Sequence, residues 1–501
     1  MKRHLTFIML LACTIATAQN SNDVLRYSNE NLQGTARFQA MGGAFGALGG
    51  DLSALNINPA GSAVFNNSLL TFSGTVYNND NTASYFGTNR NTSYTNIDVN
   101  QVGGVLVFKT SKPESGWNKI AVAGNYDIVQ NFDNQVLING TSNQGIDNYF
   151  LNFAAGVPFG SILLQEGEFI EDAYLDIGAQ QGFGDQQVFL GYYGGLIDPE
   201  TMEDANTTYT SNAGYANVGQ NLLRNTTGYN SKFTLNFASQ YQERLNVGAS
   251  LNFHTILYDR YDEFTETGYE AASEIQRTTF DNLLHTEGSG FSFSLGAIAK
   301  LNEVVRIGGS YQSPTWYRLT DDLSQRISSD LADSDINFID LNLVNLFPRY
   351  TIKTPSKLNG SAAFVFGKNG LLSIDYSYQD MSRAELGPTS DSNFSTVNDD
   401  VANTLGAVST LRIGGEYRIA RFSLRGGYRF EQSPYSNIDL IGDLNGISAG
   451  IGFDFGGSRL DFALSSTERD ISETLLDTGL DTPALINRIN TNATISYTLN
   501  F

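Results

Sequence analysis

Strict alternation of apolar and polar residues over the segment 490–501 constrains the fold of this chain more than any other sequence feature. The apolar residues of the segment are Ala493, Ile495, Tyr497, Leu499 and Phe501. A period of two places such residues on one face of a β-strand. An exposed aromatic edge promotes aggregation of a soluble protein, whereas a closed membrane barrel pairs that edge and buries the apolar face in lipid. The segment therefore predicts the last strand of a membrane barrel, in which the barrel assembly machinery recognises Tyr497, Leu499 and Phe501.

The segment 1–18 has the pattern of a secretory signal peptide. A positive start is followed by an apolar stretch over 5–12 and by a small-x-small cleavage site ending at Ala18. Cys13 leaves a second interpretation open, in which the segment is a lipoprotein signal. The apolar stretch is too short for a spanning helix, and the later chain has no run of about 18 apolar residues. We therefore expect export to the outer membrane of a Gram-negative bacterium and crossing of that membrane by strands.

The composition favours one large β-structure. Among 501 residues there are 50 glycines, 32 phenylalanines and 25 tyrosines but only 10 prolines, a bias typical of strands and turns. No linker rich in proline, serine or charge divides the chain, so we expect one barrel instead of several domains. The only cysteine, Cys13, lies in the predicted signal peptide, which excludes thiol chemistry from the mature chain. Acidic residues outnumber basic ones by 52 to 30, which argues against binding of nucleic acid.

About fourteen segments share the period-two alternation, as expected of a membrane barrel. In 421–430, arginine and serine occupy one face of the strand, while Phe422, Leu424 and Tyr428 occupy the other. A buried sandwich cannot accommodate both faces, but a strand with lipid outside and water inside accommodates them easily. The predicted strands are 70–76, 102–108, 120–126, 233–237, 245–253, 291–299, 305–311, 358–366, 372–378, 411–419, 421–430, 447–455, 460–464 and 490–501.

The predicted connections alternate between short turns and long polar segments. The turns lie near 242–243, 302–303, 368–369, 420–421 and 457–458, and the long segments are 259–287, 315–355, 381–408, 432–445 and 467–489. Short turns on one side of the membrane and long loops on the other are typical of outer-membrane barrels. The fold class is therefore all-β: a transmembrane antiparallel β-barrel over 68–501, with long extracellular loops.

The segment 131–229 interrupts this alternation of short turns and long loops, and we interpret it as an extracellular loop insertion. The stretch 148–159 is a candidate strand pair. Apolar residues from Ile162 to Ile177 fall near helical spacing and predict a short amphipathic helix. An even number of strands leaves both ends of the barrel in the periplasm.

The segment 19–67 precedes the first predicted strand and is rich in glycine and alanine. Asp51 is placed to cap a short helix, which Asn58 and Pro59 end. A flexible periplasmic tail is one interpretation, but Phe45 and its apolar neighbours favour a plug that threads back into the barrel.

The residues of this plug carry a resemblance to a known family. The resemblance lies in 34–38, 41–44, 51–54 and the run Asn58, Pro59 and Ala60 just before the first strand. With this spacing the chain resembles the FadL-type outer-membrane transporters of long-chain fatty acids and aromatic hydrocarbons. The resemblance implies a plugged barrel that takes up hydrophobic small molecules passively when the plug rearranges, without a cofactor or metal. We expect it to act as a monomer in outer-membrane lipid.

A second part of the resemblance concerns the third strand. Gly124, Asn125 and Tyr126 look like the stretch where the family's third strand kinks inward and opens a lateral gate to the bilayer. Asp127 follows at a position where the family often has glycine. The segment 431–434 is also similar to the family.

Uptake of a hydrophobic molecule requires an apolar patch outside the barrel. Candidate capture residues in the long insertion are Leu163, Leu164, Phe169, Ile170 and Tyr174. The alternative interpretation is that these residues pack the loops together. Arg260, just beyond the fifth predicted strand, is the candidate partner for a substrate carboxylate.

Two other functions stay open at this point. An adhesin or structural barrel would use its long loops to bind a surface partner.

Catalysis has little support, because Ser448 in the nucleophile-elbow pattern 446–450 lies in a predicted strand with no helix after it. His254 faces the lumen by parity, which leaves a serine–histidine pair as the only enzymatic candidate, and we expect no enzyme.

Overall fold

The computed structural model describes residues 21–110, 116–436 and 440–501. The predicted signal peptide and Cys13 lie outside the described residues. The strands are β1 Leu69–Tyr85, β2 Thr88–Lys109, β3 Trp117–Asn131, β4 Asn134–Ser142, β5 Ile197–Pro199, β6 Tyr209–Ser211, β7 Val218–Tyr241, β8 Leu245–Thr267, β9 Arg277–Lys300, β10 Val305–Gln312, β11 Trp316–Ser329, β12 Asn345–Leu346, β13 Tyr350–Lys353, β14 Lys357–Phe366, β15 Gly370–Asp380, β16 Glu385–Gly387, β17 Ala407–Ile419, β18 Phe422–Glu431, β19 Leu444–Asp454, β20 Ser458–Glu473 and β21 Ala484–Asn500.

The helices lie in the N-terminal segment and in the loops. They are α1 Ser21–Ser28, α2 Ala36–Ala40, α3 Asp147–Ala154, α4 Ile170–Gln180, α5 Phe183–Tyr193 and α6 Ser392–Thr404, with 3-10 helices at Ser53–Asn56, Pro59–Val64, Phe159–Ser161, Ser334–Phe338 and Met381–Arg383. Within the described ranges, none of these helices is long and apolar enough to cross a membrane.

The strands form a closed antiparallel barrel of 14 strands, which confirms the predicted fold class. Some barrel strands consist of two labelled pieces, such as β3 with β4 and β10 with β11. The barrel closes where β1 pairs with β21, from Leu69 opposite Asn500 to Ser84 opposite Leu485. Inside this seam, hydroxyl groups pair across the two strands, with an oxygen–oxygen distance of 2.7 Å between Ser73 and Ser496.

The two faces of the wall differ as the alternation predicts. Large apolar side chains point outward and are exposed, with Ile447 at 68% and Leu499 at 45% of their full exposure. Polar and charged side chains such as Arg425 and Thr494 point inward and are buried. An apolar outer belt around a polar interior is the pattern of an outer-membrane barrel.

The turns agree with the predictions, but several loops are shorter than predicted. Gln242, Glu243 and Ala420 adopt positive φ angles of 47°, 55° and 52° in tight turns. The predicted loop 259–287 is wrong as a loop, because β8 and β9 run through most of it and leave only 268–276. β11 similarly occupies part of 315–355. These extensions rise beyond the lipid belt. Their outer face is mostly polar, and their inner face mixes polar residues with apolar ones such as Ile256 and Phe280, so the alternation that marks a membrane strand disappears.

The insertion 131–229 contains barrel strand as well as loop. β4 and the first part of β7 extend the wall into it, and the predicted strand pair 148–159 is wrong because α3 begins there. Tyr149, Phe150 and Ala154 are buried on one side of α3, which is helical spacing. The predicted helix agrees with α4 from Ile170 onward, whereas the part from Ile162 to Phe169 is not α-helical. Helices α3 to α5 pack into one apolar core that we call the cap core, together with residues from the ends of β1, β11 and β21.

Candidate transport pathway

The N-terminal segment fills the barrel. We call residues 21–33 the arm and residues 34–65 the lower plug. We describe the end of the barrel with the tight turns as its lower end. The lower plug contacts the lower parts of the wall strands, and the arm reaches upward, where the Tyr435 hydroxyl donates to Asn22 at 2.8 Å.

The predicted plug motif holds the lower plug together and fastens it to the wall. Asp51 Oδ1 accepts from Thr35 Oγ1 at 2.8 Å and from the Ser53 backbone N–H at 3.0 Å. The Asn58 side chain accepts from the Ala60 N–H at 3.1 Å, and its Nδ2 donates to the Ala297 carbonyl at 3.0 Å. These contacts fix the turn that carries Pro59.

Asn236 on β7, which no sequence pattern marked, also binds the turn of the plug that carries Pro59. Its Nδ2 donates to the Pro59 carbonyl at 2.9 Å. Gly248 and Gly296 let the plug approach the wall. A Cβ at Gly248 would lie 2.4 Å from the Pro59 oxygen, and one at Gly296 would lie 2.1 Å from Asn58 Oδ1.

A buried ionic network also connects the lower plug to the wall. Arg37 Nε lies 3.0 Å from Glu416 Oε2, and Arg425 Nε lies 2.6 Å from the same oxygen. Arg425 Nη1 in turn lies 2.7 Å from Asp461 Oδ1. Removing one partner from such a network leaves a buried charge without compensation, so the network holds the lower plug in one position.

The wall has a break between β2 and β3. Their pairing runs from Lys109 opposite Lys119 to Gln101 opposite Asp127 and ends there. Above that level β2 pairs only with β1, while β3 and β4 continue along β7. The register of β3 against β7 shifts between Ile128 and Gln130. We call the region between 99–100 on β2 and 128–130 on β3 the wall break.

Strand β4 moves to the inner side of the wall above this break. Backbone carbonyls at its start accept hydrogen bonds from inward-facing side chains. Asn79 Nδ2 donates to the carbonyl of Asp133, just before β4, at 2.6 Å, and Asn81 Nδ2 donates to the Gln135 carbonyl at 2.9 Å. On β7, Gly228 accommodates the irregularity with a φ of 108°.

The residues predicted to form the kink lie just below the break. Gly124, Asn125 and Tyr126 pair in regular register with β2 and with β7. The irregularity begins after Asp127, whose carboxylate accepts from Asn125 at 2.5 Å and from Asn56 of the lower plug at 3.0 Å. The residue that departs from the family pattern therefore connects the break to the plug.

The end of the arm and Gly34, the first residue of the lower plug, cover the break from inside. The Asn31 backbone N–H donates to the Val129 carbonyl at 2.9 Å. Asn100 Nδ2 on the other edge donates to the Gly34 carbonyl at 2.8 Å. Movement of residues 31–34 would uncover both edges.

Helix α1 occupies an apolar space in the upper part of the barrel, which we call the apolar chamber. Val24, Leu25 and Tyr27 are buried there against the wall and loops. The chamber residues include Phe132, Ile256, Tyr258, Tyr317, Leu319, Tyr350, Ile352, Met381 and Val408. The Tyr27 ring meets those of Phe132 and Tyr258 edge-on, at centroid distances of 6.2 and 6.5 Å.

A narrow polar cavity lies directly below this chamber. Met381 and Val408 border both spaces. The volume open to water centres is about 50 Å³, which suits a few waters and not a hydrocarbon chain. The charged residues around the cavity are Glu30, Lys232, Lys357, Arg412, Arg429 and Glu431.

Glu30 of the arm binds the two lysines of this cavity. Its carboxylate oxygens lie 3.1 Å from Lys232 Nζ and 3.3 Å from Lys357 Nζ. Burial favours a raised pKa for Glu30, but the two ammonium groups outweigh burial and hold that pKa well below its ordinary value. The carboxylate is therefore ionised at neutral pH.

The predicted capture residues do not form one exposed patch. Ile170 and Tyr174 lie in the cap core, where the Tyr174 hydroxyl donates to Gln325 at 2.9 Å. Leu163 and Leu164 pack against the same core. Phe169 alone of the five is strongly exposed, at 68%. This placement agrees with the loop-packing interpretation for four of the residues.

Arg260 faces the lumen but is already paired. Its Nη2 lies 2.6 Å from Asp262 Oδ2, and Asp262 also binds Arg224, with Nε at 2.8 Å. A substrate carboxylate at Arg260 would have to compete with this acid.

Ser448 and His254, the candidate serine–histidine pair, contact different groups. The Ser448 hydroxyl, on β19, accepts from the Gly42 backbone N–H at 3.1 Å. His254, on β8, contacts Ser292 and the Tyr317 hydroxyl. In the described part of the chain, no group of acidic, histidine or cysteine side chains is arranged to hold a metal.

Comparison with known proteins gives matches at the level of structure only. No family model matches the sequence, and no curated protein matches it. A FadL homologue of Pseudomonas aeruginosa has a TM-score of 0.55 and 11% identity, covering 94% of this chain and 99% of that one. A deltaS2 mutant of the TodX monoaromatic hydrocarbon channel has a TM-score of 0.50 and 13% identity, covering 93% and 99%. The Ralstonia pickettii toluene transporter TbuX has a TM-score of 0.49 and 15% identity, covering 94% and 99%.

The likeness to the first two structures extends over nearly the whole chain. At these identities it establishes the fold. The resemblance inferred from the sequence is confirmed at that level, and this chain is a plugged β-barrel with the FadL-type fold.

Proposed function

We propose that this protein is an outer-membrane channel for passive uptake of hydrophobic small molecules, which leave the barrel sideways through the wall break. The observation that carries the proposal is the break itself, where β2 and β3 separate above Gln101 and Asp127 while the arm covers the opening from inside. A purely structural barrel has no need for such an opening.

The interior supports a route that ends at this opening. The apolar chamber is large enough for the side chains of α1, and it offers an apolar ligand the same contacts when α1 moves out. A hydrophobic molecule gains free energy in this chamber relative to water. From there, lateral exit places it directly in the bilayer, so it never has to cross the aqueous periplasmic side. The transporters named in the comparisons, which include a toluene transporter and a monoaromatic hydrocarbon channel, are consistent with cargo of this class.

Filling the opening from outside tests the proposed exit. Val99 lies at the edge of the break and is 42% exposed on the outer face, whereas Ile447 is exposed on β19, away from the break. We expect Val99→Trp to slow uptake of labelled dodecanoate and of labelled toluene by cells by about fivefold or more. The added indole side chain narrows the wall break through which the transported molecule leaves the barrel. Ile447→Trp adds the same bulk to lipid-facing wall and should leave uptake unchanged.

Uptake is compared at equal amounts of folded protein, judged by the shift between boiled and unboiled samples on gels. If Val99→Trp and Ile447→Trp cells take up both compounds at the wild-type rate, the lateral route is excluded.

A further inference from the structure

We propose that the lower end of the barrel carries a ring of basic side chains that binds the anionic head groups of phospholipids in the surrounding leaflet. Six turns join the described strands at this end, and each has a lysine or arginine within it or within two residues of it. These residues, which we call the basic ring, are Lys109, Arg244, Lys300, Lys368, Arg421 and Arg459. The inference does not depend on the proposed transport role.

The basic ring contrasts with the acidic character of the chain. The formal net charge is -22, and the extracellular stretch 143–217 has acidic residues but no lysine or arginine. Among the described residues of the six turns and their flanks, the acidic ones are Glu243, Glu303 and Asp454. The negative excess of the chain therefore lies above the membrane, and the lower turns have a positive excess.

The turn between β9 and β10 shows this excess directly. Lys300 Nζ lies 2.9 Å from the exposed carboxylate of Glu303. The pKa of Glu303 is held below its ordinary value, first by Lys300 and then by the charges of Arg306 and Arg244. Three cations thus act on one acid, which leaves positive charge in this turn uncompensated.

Aromatic side chains place the basic ring at the level of lipid head groups. Phe108, Phe366, Phe422 and Phe455 are exposed and lie in the turns or at the strand ends beside them. Aromatic residues at these positions mark the boundary between hydrocarbon and water in outer-membrane barrels. A lysine or arginine next to them can keep its alkyl stem along the apolar wall while its charge reaches the head groups.

The distribution of the basic ring favours lipid over a protein partner. Its residues follow the turns around the wall, from β2 to β20, and do not collect on one side. A protein partner would contact one side of the barrel, whereas lipids surround the whole wall. One lysine or arginine beside an anionic lipid favours that lipid over a zwitterionic one by about fivefold.

Trp117 makes this enrichment measurable. The chain has two tryptophans, Trp117 and Trp316, so Trp316→Phe leaves one reporter. A register shift between Trp117 and the buried Lys119 turns Trp117 to the outer side of the wall, where it is 44% exposed. Its ring lies 5.2 Å from that of Tyr241 on β7.

Lys109 and Arg244 flank this reporter, at the end of β2 on one side and in the turn after β7 on the other. The Trp316→Phe protein is reconstituted in phosphatidylcholine vesicles, in which a minor fraction of the lipid carries brominated acyl chains that quench tryptophan. We expect brominated phosphatidylglycerol to associate next to Trp117 about fivefold more strongly than brominated phosphatidylcholine. The difference should shrink at about 1 M salt, because salt screens exposed charges.

Two double variants in this background identify the charges. Lys109→Gln with Arg244→Gln should make quenching by the two lipids equal. Arg277→Gln with Arg349→Gln removes two exposed arginines from the upper end, and this matched control should keep the preference. Each protein is first shown to be folded by the shift between boiled and unboiled samples on gels.

Equal quenching by the two brominated lipids before any charge is removed would overturn the proposal. A preference that survives Lys109→Gln with Arg244→Gln would overturn it as well, since the charges beside the reporter would then have no part in it. Loss of the preference in the upper-end control would mean that net charge attracts the lipid and that the basic ring does not.

Discussion

Deletion of residues 21–65 is expected to convert the barrel into an open water-filled pore. The arm and lower plug occupy the interior, and the wall behind them is lined by polar and charged side chains. A barrel of 14 strands lies between the small barrels that side chains fill and the porins that enclose a channel. Without the plug we expect the conductance in planar bilayers to rise on the order of tenfold or more, and cells to become sensitive to large hydrophilic antibiotics.

The control for this deletion is the folded state of the barrel. The deleted protein must still shift on gels between boiled and unboiled samples, and its conductance is compared with that of the full chain at the same protein concentration. A folded, plug-free barrel with the low conductance of the full chain would mean that something other than residues 21–65 closes the lumen.

Glu416→Gln is expected to be the most destabilising single substitution at the plug. The Glu416 carboxylate forms ion pairs with Arg37 of the plug and with Arg418 and Arg425 of the wall. Glutamine keeps the shape and one acceptor oxygen but removes the charge, which leaves the buried Arg37 guanidinium with neutral partners such as the Gly50 carbonyl at 3.1 Å. Loss of one partner from a buried charge network costs about 3–5 kcal/mol. We expect a lower unfolding midpoint in denaturant and frequent channel openings in bilayers.

Glu385→Gln is the matched control for this substitution. It makes the same chemical change in the pair with Lys353, where both side chains are partly exposed and the nitrogen–oxygen distance is 3.3 Å. Such a pair contributes about 0–1 kcal/mol. Equal unfolding midpoints for the two variants would show that the Arg37 network does not hold the plug.

The sequence pattern predicted those barrel strands in which one face contacts lipid and the other faces the aqueous interior. Segment 421–430 and the last strand show this alternation, and the structure has strands at both places. The extensions of β8 and β9 were missed because, above the membrane, their outer face is mostly polar while their inner face mixes polar residues with apolar ones such as Ile256 and Phe280. α3 was mistaken for strand because eight residues with several aromatics satisfy either period.

The pathway was harder to predict than the fold. Asn58 and Pro59 marked the plug because their spacing to the first strand is local in sequence. The lysines at the arm gave no such signal, since Lys232 lies 202 residues from Glu30 and Lys357 lies 327 residues from it. The wall break is an absence of pairing between two strands that are neighbours in sequence, so no residue type marks it. Gly228 on β7 accommodates the irregularity, whereas Gly124 on β3 does not.

Uptake by cells with and without the gene tests the central claim most directly. The compounds are labelled dodecanoate, dodecanol and toluene, offered at concentrations where entry across the outer membrane limits the rate. The account predicts slower uptake in the deletion strain and recovery when the wild-type gene is restored. Unchanged uptake of all three compounds in the deletion strain would contradict it.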